Sequence, residues 1–416
     1  MYFVGYRVVR SGTDVTSSTW ARWGQGITQE LPPEAWTGHA ETPFGAARRT
    51  IGPHGYVAYF PKPIPRELAI SRDNLMRIAD AEAALGRLAG TGRLLPDPHL
   101  LVRPYLHREA VASTRIEGTQ ASLVDVFDAE AGEQPLGADV EEVVNYVRAM
   151  EIGLHRLETL PLSMRLVRET HAVILAGVRG RERQPDELRT TQNWLGPPGA
   201  TIDTAPFVPP PPTELGDLLT DLERFIHEQP LLPPLVQAAL LHYQFETIHP
   251  FLDGNGRLGR LLIVFFLVVR DRLPEPLLYL SPYFETRRDT YYDALQGVRE
   301  RGDANAWIEL FLDAVRTQAA DSVLCAERLV DLRERYREAV RSTTRGAATQ
   351  LAELTIEQPV LTTRVVEERL GITRPAALKA LRHLEDVGIL VAAAEGPRRQ
   401  LRWRAEEVLS VLSDGT

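Results

Sequence analysis

The chain has 416 residues, with 47 Lys and Arg against 56 Asp and Glu, and a formal net charge of −9. This balance argues against a general nucleic-acid coat protein, although a local basic patch could still bind DNA. The single cysteine, Cys325, excludes a disulfide framework within the chain, and the longest apolar run is too short to span a bilayer. We therefore expect a cytoplasmic protein of two to four domains that has no membrane partner.

The N-terminal third divides into two segments. Residues 1–55 hold short strand-like pieces and turn residues, and we assign them no role. From residue 56 to residue 133, helical patterns dominate after a proline-rich entry. This second segment is therefore predicted to be helical.

The run STRIEG at 113–118 continues a helical pattern. Ser113 and Glu117 are four residues apart and share a helix face. A glutamate on an apolar face needs a cation. The alternative is a solvated glutamate near a helix end, with Gly118 as the C-terminal cap. These residues alone leave both interpretations open.

Residues 190–212 combine strand-like pieces, a Gly/Pro-rich turn and a proline run. Proline excludes a helix and suits an exposed sheet edge. Taken alone, this segment is a loop without an evident purpose.

The most informative stretch is HPFLDGNGRLGR at 249–260. Residues 235–248 have helical apolar spacing, and Pro250 should end that helix at His249. Residues 257–270 are apolar almost all round, which predicts a buried helix. Residues 253–256 should then form a tight loop that opens onto a helix N-terminus, where free N–H groups favour an anion.

Charged residues around this loop indicate phosphate and metal binding. Arg257 and Arg260 could each grip phosphate oxygens in bidentate fashion. Asp253 could hold a Mg²⁺ ion that bridges phosphates, and His249 could take a proton near neutral pH. Each feature alone is usually structural, but their density indicates a functional site. Without a bound phosphate, Arg260 is the cation available to Glu117.

The chain ends in a distinct module. An Arg/Glu-rich helical pattern at 322–344 reads as a connector. Residues 345–416 then show a helix, a Gly-containing turn and a second helix, with Thr373 as N-cap and Pro375 just inside. Two strand-like pieces follow, and the whole resembles a winged helix.

A winged helix usually reads DNA. The residues expected to face DNA are Arg374, Lys379, Arg382 and, on the wing, Arg398 and Arg399. However, residues 345–416 contain ten Lys and Arg against ten Asp and Glu, so the module is not basic overall. Protein docking and dimerisation therefore stay open, and the chain could form a homodimer.

The motif at 249–260 is similar, without a mismatch, to the HPFxDGNGRxxR signature of Fic-domain adenylyltransferases (AMPylases). The resemblance implies a mainly α fold: a Fic-type helical core with a short β-hairpin flap, followed here by the winged-helix (α+β) domain. It also implies Mg²⁺-dependent transfer of AMP from ATP to a Ser, Thr or Tyr hydroxyl of a target protein or of the protein itself. Relatives that phosphorylate usually carry Ala-Asn-Lys at 254–256, so Gly-Asn-Gly favours AMP transfer.

The resemblance also suggests roles for individual residues. His249 resembles the base, Asp253 the Mg²⁺ ligand and Phe251 a core anchor. The nucleotide contacts would come from Gly254, Asn255, Gly256, Arg257 and Arg260, with Tyr291 and Tyr292 near the adenosine. An aromatic pair in a helix is more often core, and Arg299 stands where some relatives have an asparagine, which leaves the adenosine contacts open.

Two further segments resemble family features. The STRIEG run resembles the [S/T]xxxE[G/N] inhibitory helix, so Ser113 and Glu117 would be inhibitory, with Glu117 pairing with Arg260 at the γ-phosphate position. In some relatives the same glutamate helps remove AMP, which leaves de-AMPylation open here. The flap residues would be Thr191, Gln192, Asn193, Trp194, Leu195 and Gly196.

The resulting division is an N-terminal segment (1–55), a helical Fic N-terminal segment (56–133), a catalytic core (134–321), a connector (322–344) and a winged helix (345–416). Two alternatives remain beside AMP transfer. One is a DNA-binding regulator that uses the Fic core as a nucleotide sensor, and the other is transfer of UMP or another phosphate-containing group. His249 favours catalysis, because a sensor needs phosphate contacts but no base.

Overall fold

The computed structural model describes residues 3–6, 41–50, 55–94, 99–132, 137–177, 184–229, 231–341, 346–395 and 400–413. Within these ranges the chain is mainly helical, with small antiparallel sheets. The prediction of a mainly α fold is therefore confirmed. Most of segment 1–55, the predicted boundary at 133–134, and Arg398 and Arg399 lie outside the described residues.

The helices are α1 (Arg72–Leu94), α2 (His99–Ile116), α3 (Leu123–Ala131), α4 (Ala138–Leu157), α5 (Met164–Ile174), α6 (Leu215–His227), α7 (Pro234–Ile248), α8 (Asn255–Val269), α9 (Ser281–Thr286), α10 (Arg288–Arg301), α11 (Ala304–Arg341), α12 (Ala347–Glu357), α13 (Thr363–Leu370), α14 (Arg374–Asp386) and α15 (Glu406–Ser413). The strands are β1 (Phe3–Tyr6), β2 (Gly45–Arg49), β3 (Val57–Pro61), β4 (Asn193–Gly196), β5 (Val360–Leu361), β6 (Val391–Glu395) and β7 (Gln400–Arg404). No helix in the described ranges is both long enough and apolar enough to cross a membrane.

Helices α7 and α8 form the centre of the molecule and pack against each other. Pro234 is the first residue of α7. Proline suits this position because an N–H in the first turn of a helix has no partner within the helix. Every residue from 235 to 248 is buried, as is most of α8. Helices α2, α4 and α5 pack against α8, so the loop between α7 and α8 leads into a helix that is enclosed by its neighbours.

Helix α11 is 38 residues long and crosses the predicted boundary at 321–322 without a break. Its first half packs on α1 and α10, and its second half packs on α12 and α15. On that second half Leu329, Leu332 and Tyr336 are buried. The predicted connector therefore has an apolar face that belongs to the core, and the domain division itself stays a prediction.

The C-terminal unit has the predicted order of elements. Helices α13 and α14 are joined by a turn in which Gly371 has φ +63°, a left-handed conformation that glycine adopts without strain. Thr373 is the N-cap residue of α14, but its side chain makes no capping hydrogen bond. Strands β5, β7 and β6 form an antiparallel sheet in that order, with Trp403 buried beneath it.

This unit packs against the helices of the N-terminal segment. Asp128 of α3 pairs with Arg402 at 3.0 Å and with Arg404 at 2.6 Å. Arg103 of α2 binds Glu357 of α12 at 3.2 Å. The C-terminal end of α2 leads directly to Glu117. The same helix therefore contacts the C-terminal unit and precedes the predicted inhibitory residue.

Candidate active site

His249 ends α7 in a left-handed conformation, with φ 49° and ψ 61°. Its N–H donates to the Phe245 carbonyl at 2.9 Å. The buried Arg189 guanidinium donates to the carbonyl oxygens of His249 (2.8 Å), Ile248 (3.2 Å) and Pro210 (2.6 Å). One cation thus satisfies carbonyls that the helix end leaves without partners, and it fixes the backbone from which the imidazole projects.

The loop at 253–256 opens onto α8 as predicted. Gly254 is the N-cap of α8 and has φ 76°. The buried Asn255 side chain binds Phe251 twice, accepting from its N–H and donating to its carbonyl, both at 2.9 Å. Asn255 therefore offers an anion its backbone N–H, because its side chain closes the loop.

Phe251 anchors the loop in the core, as the resemblance implied. Its ring is fully buried and stacks on His171, with centroids 3.8 Å apart. Nδ1 of His171 accepts from the Asp186 N–H at 3.1 Å, so Nε2 carries the proton and donates to the Asp253 carbonyl at 3.0 Å. Burial lowers the pKa of His171 to about 4, which keeps it in this neutral form.

Glu117 pairs with Arg260, which confirms the predicted contact. Nη2 of Arg260 lies 2.8 Å from Oε1 of Glu117, and its Nε donates to Oγ of Ser113 at 2.9 Å. Arg260 is buried. Although burial opposes it, the charge of Glu117 raises the pKa of Arg260. The last turn of α2 and the turn after it therefore hold Nε and Nη2 of the guanidinium.

Arg257 also faces carboxylates. Its guanidinium lies 3.4 Å from Oε2 of Glu142 on α4 and 3.7 Å from Oδ1 of Asp253. Oδ1 of Asp253 accepts from the Gly254 N–H at 2.7 Å. The two arginines of the predicted phosphate clamp thus each contact a carboxylate.

A single cavity brings the predicted residues together. It is lined by Glu117, Leu195, Glu246, His249, Asp253, Gly254, Asn255, Gly256, Arg257, Arg260, Tyr291 and Tyr292. Ser113 lies behind this lining, fully buried against Arg260. The arrangement places a histidine beside the N-terminus of α8 and two buried cations.

The predicted flap forms a hairpin with very little pairing between its two arms. Strand β4 meets its return strand through one bridge, Leu195 to Phe207. Its other edge pairs antiparallel with β1, from Phe3 opposite Gly196 to Tyr6 opposite Asn193. Prolines occupy 209–212 of the return segment and remove backbone donors, which limits the ladder.

The other flap side chains tie the flap to its surroundings. Nδ2 of Asn193 donates to the Phe251 carbonyl at 3.1 Å, and Gln192 accepts from the Tyr56 hydroxyl at 2.8 Å. Nε1 of Trp194 donates to the Ala200 carbonyl at 2.8 Å. Among the flap residues, Thr191 is half-buried and Leu195 lines the cavity.

The two tyrosines differ. Tyr291 is buried, and its hydroxyl lies 2.7 Å from Nε2 of His242, so it is part of the core as well as of the cavity wall. Tyr292 is half-buried. Arg299 is turned away from them: it donates to Thr247 at 3.1 Å and lies 3.8 Å over the Phe207 ring. It thus supports the flap.

Three residues of the site were missed from the sequence: Arg189, His171 and Glu246. Glu246 lies in the cavity wall, with Oε2 4.0 Å from Nδ1 of His249. A signal was available for it, because Glu246 is the one Asp, Glu, Lys or Arg in residues 235–248. The sequence held no such signal for Arg189 and His171, because both are distant from the loop in sequence and contact it only in the folded protein.

Asp253 is the carboxylate that could hold a metal. Mg²⁺ is commonly bound by one or two carboxylates together with substrate phosphates and waters, and Asp253 lies beside the loop predicted to bind phosphate. Among the described residues no group of three or more His, Cys, Asp or Glu could hold a metal alone. The donor set therefore fits an ion that arrives with a phosphate ligand.

Two family models match consecutive parts of the chain. Residues 75–155 match the model described as Fic/DOC family N-terminal, and residues 161–267 match the Fic/DOC family model. The chain is 28% identical over 263 residues to Protein adenylyltransferase Fic of Aedes aegypti, covering 63% of this chain and 46% of that protein. Its counterpart in Drosophila grimshawi is also 28% identical over 263 residues, with 63% and 47% covered. The chain thus spans about half the length of these relatives.

The fold has a counterpart among solved structures. A Fic family protein from Desulfovibrio desulfuricans G20 superposes with a TM-score of 0.53 and 21% identity, over 83% of this chain and 98% of that one. At this identity the likeness concerns the fold alone. Residues 75–155 and 161–267 thus carry consecutive domains of the Fic/DOC family, the N-terminal one followed by the Fic domain.

Proposed function

We propose that this protein transfers AMP from ATP to a hydroxyl side chain of a protein, and that Glu117 restrains the transfer. The observation that carries the proposal is the cavity in which His249, the loop at 253–256 and Arg260 meet, with Glu117 on Arg260. The relatives' shared name, Protein adenylyltransferase Fic, agrees with this chemistry.

His249 is the base in this proposal. Burial, reinforced by the charge of Arg189, lowers the pKa of its imidazole to about 3, so it is neutral and able to accept a proton at neutral pH. It takes the proton of the target hydroxyl while that oxygen attacks the α-phosphorus and pyrophosphate leaves. Such proton transfer typically adds about 10² to 10⁴ in rate.

The phosphates would be held by the start of α8. The N–H groups of Asn255 and Gly256 and the guanidinium groups of Arg257 and Arg260 offer donors to phosphate oxygens, whereas the Gly254 N–H donates to Asp253. Asp253 would hold Mg²⁺, which neutralises phosphate charge when bound. Tyr291 and Tyr292 then form the wall on the adenosine side.

The restraint is a competition for Arg260. Glu117 occupies the guanidinium that a γ-phosphate needs, so ATP binds productively only when the carboxylate moves away. The same carboxylate faces the loop and could orient a water for removal of AMP. A chase of labelled protein with unlabelled nucleotide tests that second activity.

The flap suggests how a target is held. Strand β4 accepts an antiparallel partner in β1, so an extended target segment would pair with the same edge. A target has to displace β1 or be β1's own segment, and the second case is self-modification.

The single buried cysteine, Cys325, agrees with a reducing cytoplasm.

A second candidate is a DNA-binding regulator, and one observation favours it. Residues 346–413 have the element order of a winged helix, and on α14 the side chains of Arg374, Lys379 and Arg382 are exposed. We assign this unit as a winged helix whose α14 would enter a DNA groove. A mobility shift with genomic fragments that shows no sequence-selective binding would remove this candidate.

The test of the main proposal uses ATP labelled at the α-phosphate, Mg²⁺ and cell lysate. Wild-type protein is compared with Glu117→Gly and His249→Ala variants. Label on protein that rises with Glu117→Gly and disappears with His249→Ala supports a restrained adenylyltransferase. ATP binding without label in any variant would favour the sensor or another transferred group.

A further inference from the structure

Glu246 is the charged residue of the cavity for which the phosphate and metal contacts provide no role. It lies in the last turn of α7, is 6% exposed, and has Oε2 4.0 Å from Nδ1 of His249. In the described part of the chain, Oε1 of Glu246 and both ring nitrogens of His249 are buried without a hydrogen-bond partner. Buried polar atoms are nearly always paired, so two such groups side by side point to a functional arrangement.

Gly259 makes room for this carboxylate. A Cβ at Gly259 would lie 2.5 Å from Oε1 of Glu246, so any side chain there would force the carboxylate to move. The second turn of α8 therefore approaches Glu246 only because residue 259 has no side chain. The carboxylate is confined between α7 and α8, within reach of the imidazole.

Cations surround His249. Burial disfavours a protonated imidazole, as do the charges of Arg189 and Arg299, whereas the backbone carbonyl of Glu246 favours it. A base that must carry a positive charge during the reaction needs a compensating negative charge nearby. Glu246 is the carboxylate in ion-pair distance of the His249 ring among the described residues.

We propose that Glu246 is a positioning residue that orients His249 and stabilises the imidazolium formed when His249 takes the hydroxyl proton. This inference rests on the proposed adenylyl transfer. The hydroxyl oxygen bonds to the α-phosphorus, the bond from that phosphorus to the β-phosphate oxygen breaks, and pyrophosphate leaves with the bonding electrons. The proton passes to His249 and later to water, so Glu246 supplies charge and takes no proton.

The charge state of Glu246 makes this role visible. Burial raises its pKa to about 7, the charge of Glu117 adds to the rise, and Arg260 and Arg299 oppose it. The groups that face it are Glu117 after α2, Arg260 on α8, and Arg299, Tyr291 and Tyr292 on α10, with His249 and His242 on its own segment. Glu246 is ionised above its pKa, so the rate should rise as pH increases through it.

The experiment uses the full chain carrying Glu117→Gly and measures AMP transfer from α-labelled ATP between about pH 5 and about pH 9. The range extends to low pH because loss of the Glu117 charge lowers the pKa of Glu246 in this parent. Glu246→Gln and Glu246→Asp are added to that parent. Glu285→Gln is the matched control, because burial also raises the pKa of this α9 carboxyl, which lies outside the cavity lining. Thermal midpoints are recorded for every variant.

We expect Glu246→Gln to lower kcat about tenfold or more, with an unchanged KM for ATP and without the acidic limb of the pH profile. Glu246→Asp should keep part of the rate and the limb, and Glu285→Gln should keep both. The midpoint of Glu246→Gln should not fall, since the amide removes a buried charge.

Two results would overturn the inference. One is a Glu246→Gln rate equal to that of the parent at every pH. The other is a lower rate with an unchanged pH profile and a lower midpoint, which indicates a structural role. No label in the Glu117→Gly parent would instead contradict the proposed function, and this inference with it.

Discussion

Glu117 and Arg260 lie 143 residues apart in the chain, and their side chains meet at 2.8 Å. The two partners differ in exposure: the Arg260 side chain is 2% exposed and the Glu117 side chain 31%. Ser113, in the last turn of α2, holds Arg260 by its hydroxyl and its carbonyl. The pair should therefore open by movement of Glu117, which leaves Arg260 in place for a phosphate.

Replacing Glu117 by glycine should raise AMP transfer about 5- to 150-fold, the range of a typical coupling between two ligands of one site. The reason is that Arg260 no longer has a competing carboxylate. Initial rates with α-labelled ATP measure the effect. Ser113→Ala is the comparison and should give a smaller rise, because Arg260 keeps Glu117. Equal rates in all three proteins would argue against the restraint.

Replacing His249 by alanine should abolish transfer while ATP binding persists. In the proposed function the phosphate contacts come from residues 254–260, whereas His249 takes the proton. Transfer rates and calorimetric ATP titrations of the Glu117→Gly protein, with and without His249→Ala, separate the two roles. A folded variant that no longer binds ATP would show that His249 holds nucleotide instead.

Replacing Asp253 by alanine should weaken the response to Mg²⁺. Asp253 is the carboxylate beside the phosphate loop, and its loss should raise the Mg²⁺ concentration needed for half-maximal transfer. A Mg²⁺ titration at saturating ATP measures this shift. Glu142→Gln serves as a control, since Glu142 faces Arg257 from α4. Unchanged Mg²⁺ dependence in Asp253→Ala would remove Asp253 as the ligand.

The core should lose stability in mild acid. Burial lowers the pKa of His171 to about 4 and those of His242 and His249 to about 3, all from 6.5. Between pH 6.5 and these values the unfolded chain binds protons that the folded chain does not bind. The free energy of unfolding therefore decreases as the pH is lowered, by about 1.4 kcal/mol per pH unit for each histidine. Urea titrations at several pH values measure the slope.

His171→Asn should reduce that slope, because one of the three groups no longer titrates. His155, whose side chain is exposed, provides the control in a His155→Gln protein. An identical slope in the wild-type protein and the His171→Asn variant would contradict the assignment.

Replacing Asp128 by asparagine should loosen the C-terminal unit. Asp128 receives both Arg402 and Arg404, and these side chains are at most about one-fifth exposed. Loss of the charge should cost about 1–3 kcal/mol, because two cations lose their partner. Thermal unfolding and limited proteolysis of the full chain measure the change. The exposed pair of Arg335 and Glu407 offers a control, and Glu407→Gln should have a much smaller effect.

Local order in the chain explains what could be predicted. Pro250 ends α7, Gly254 permits the left-handed turn, and the apolar run after Arg257 forms α8, so the loop geometry followed from neighbours in sequence. The flap could be predicted only in part. Its Gly and Pro residues indicated a turn, but the pairing of β4 with β1 joins segments almost two hundred residues apart. The continuity of α11 was also hidden, because its Arg/Glu-rich pattern resembled a connector.

The sequence by itself determined the chemistry of the loop, because His249, Asp253, Arg257 and Arg260 lie within twelve residues and their spacing sets their geometry. Only the tertiary structure decided what supports and modulates that chemistry. Arg189 reaches the end of α7 from 60 residues away, and Glu142 reaches Arg257 from 115 residues away. Such contacts arise when packing removes charged side chains from water and each must find a partner in space, and no local pattern specifies which partner it finds.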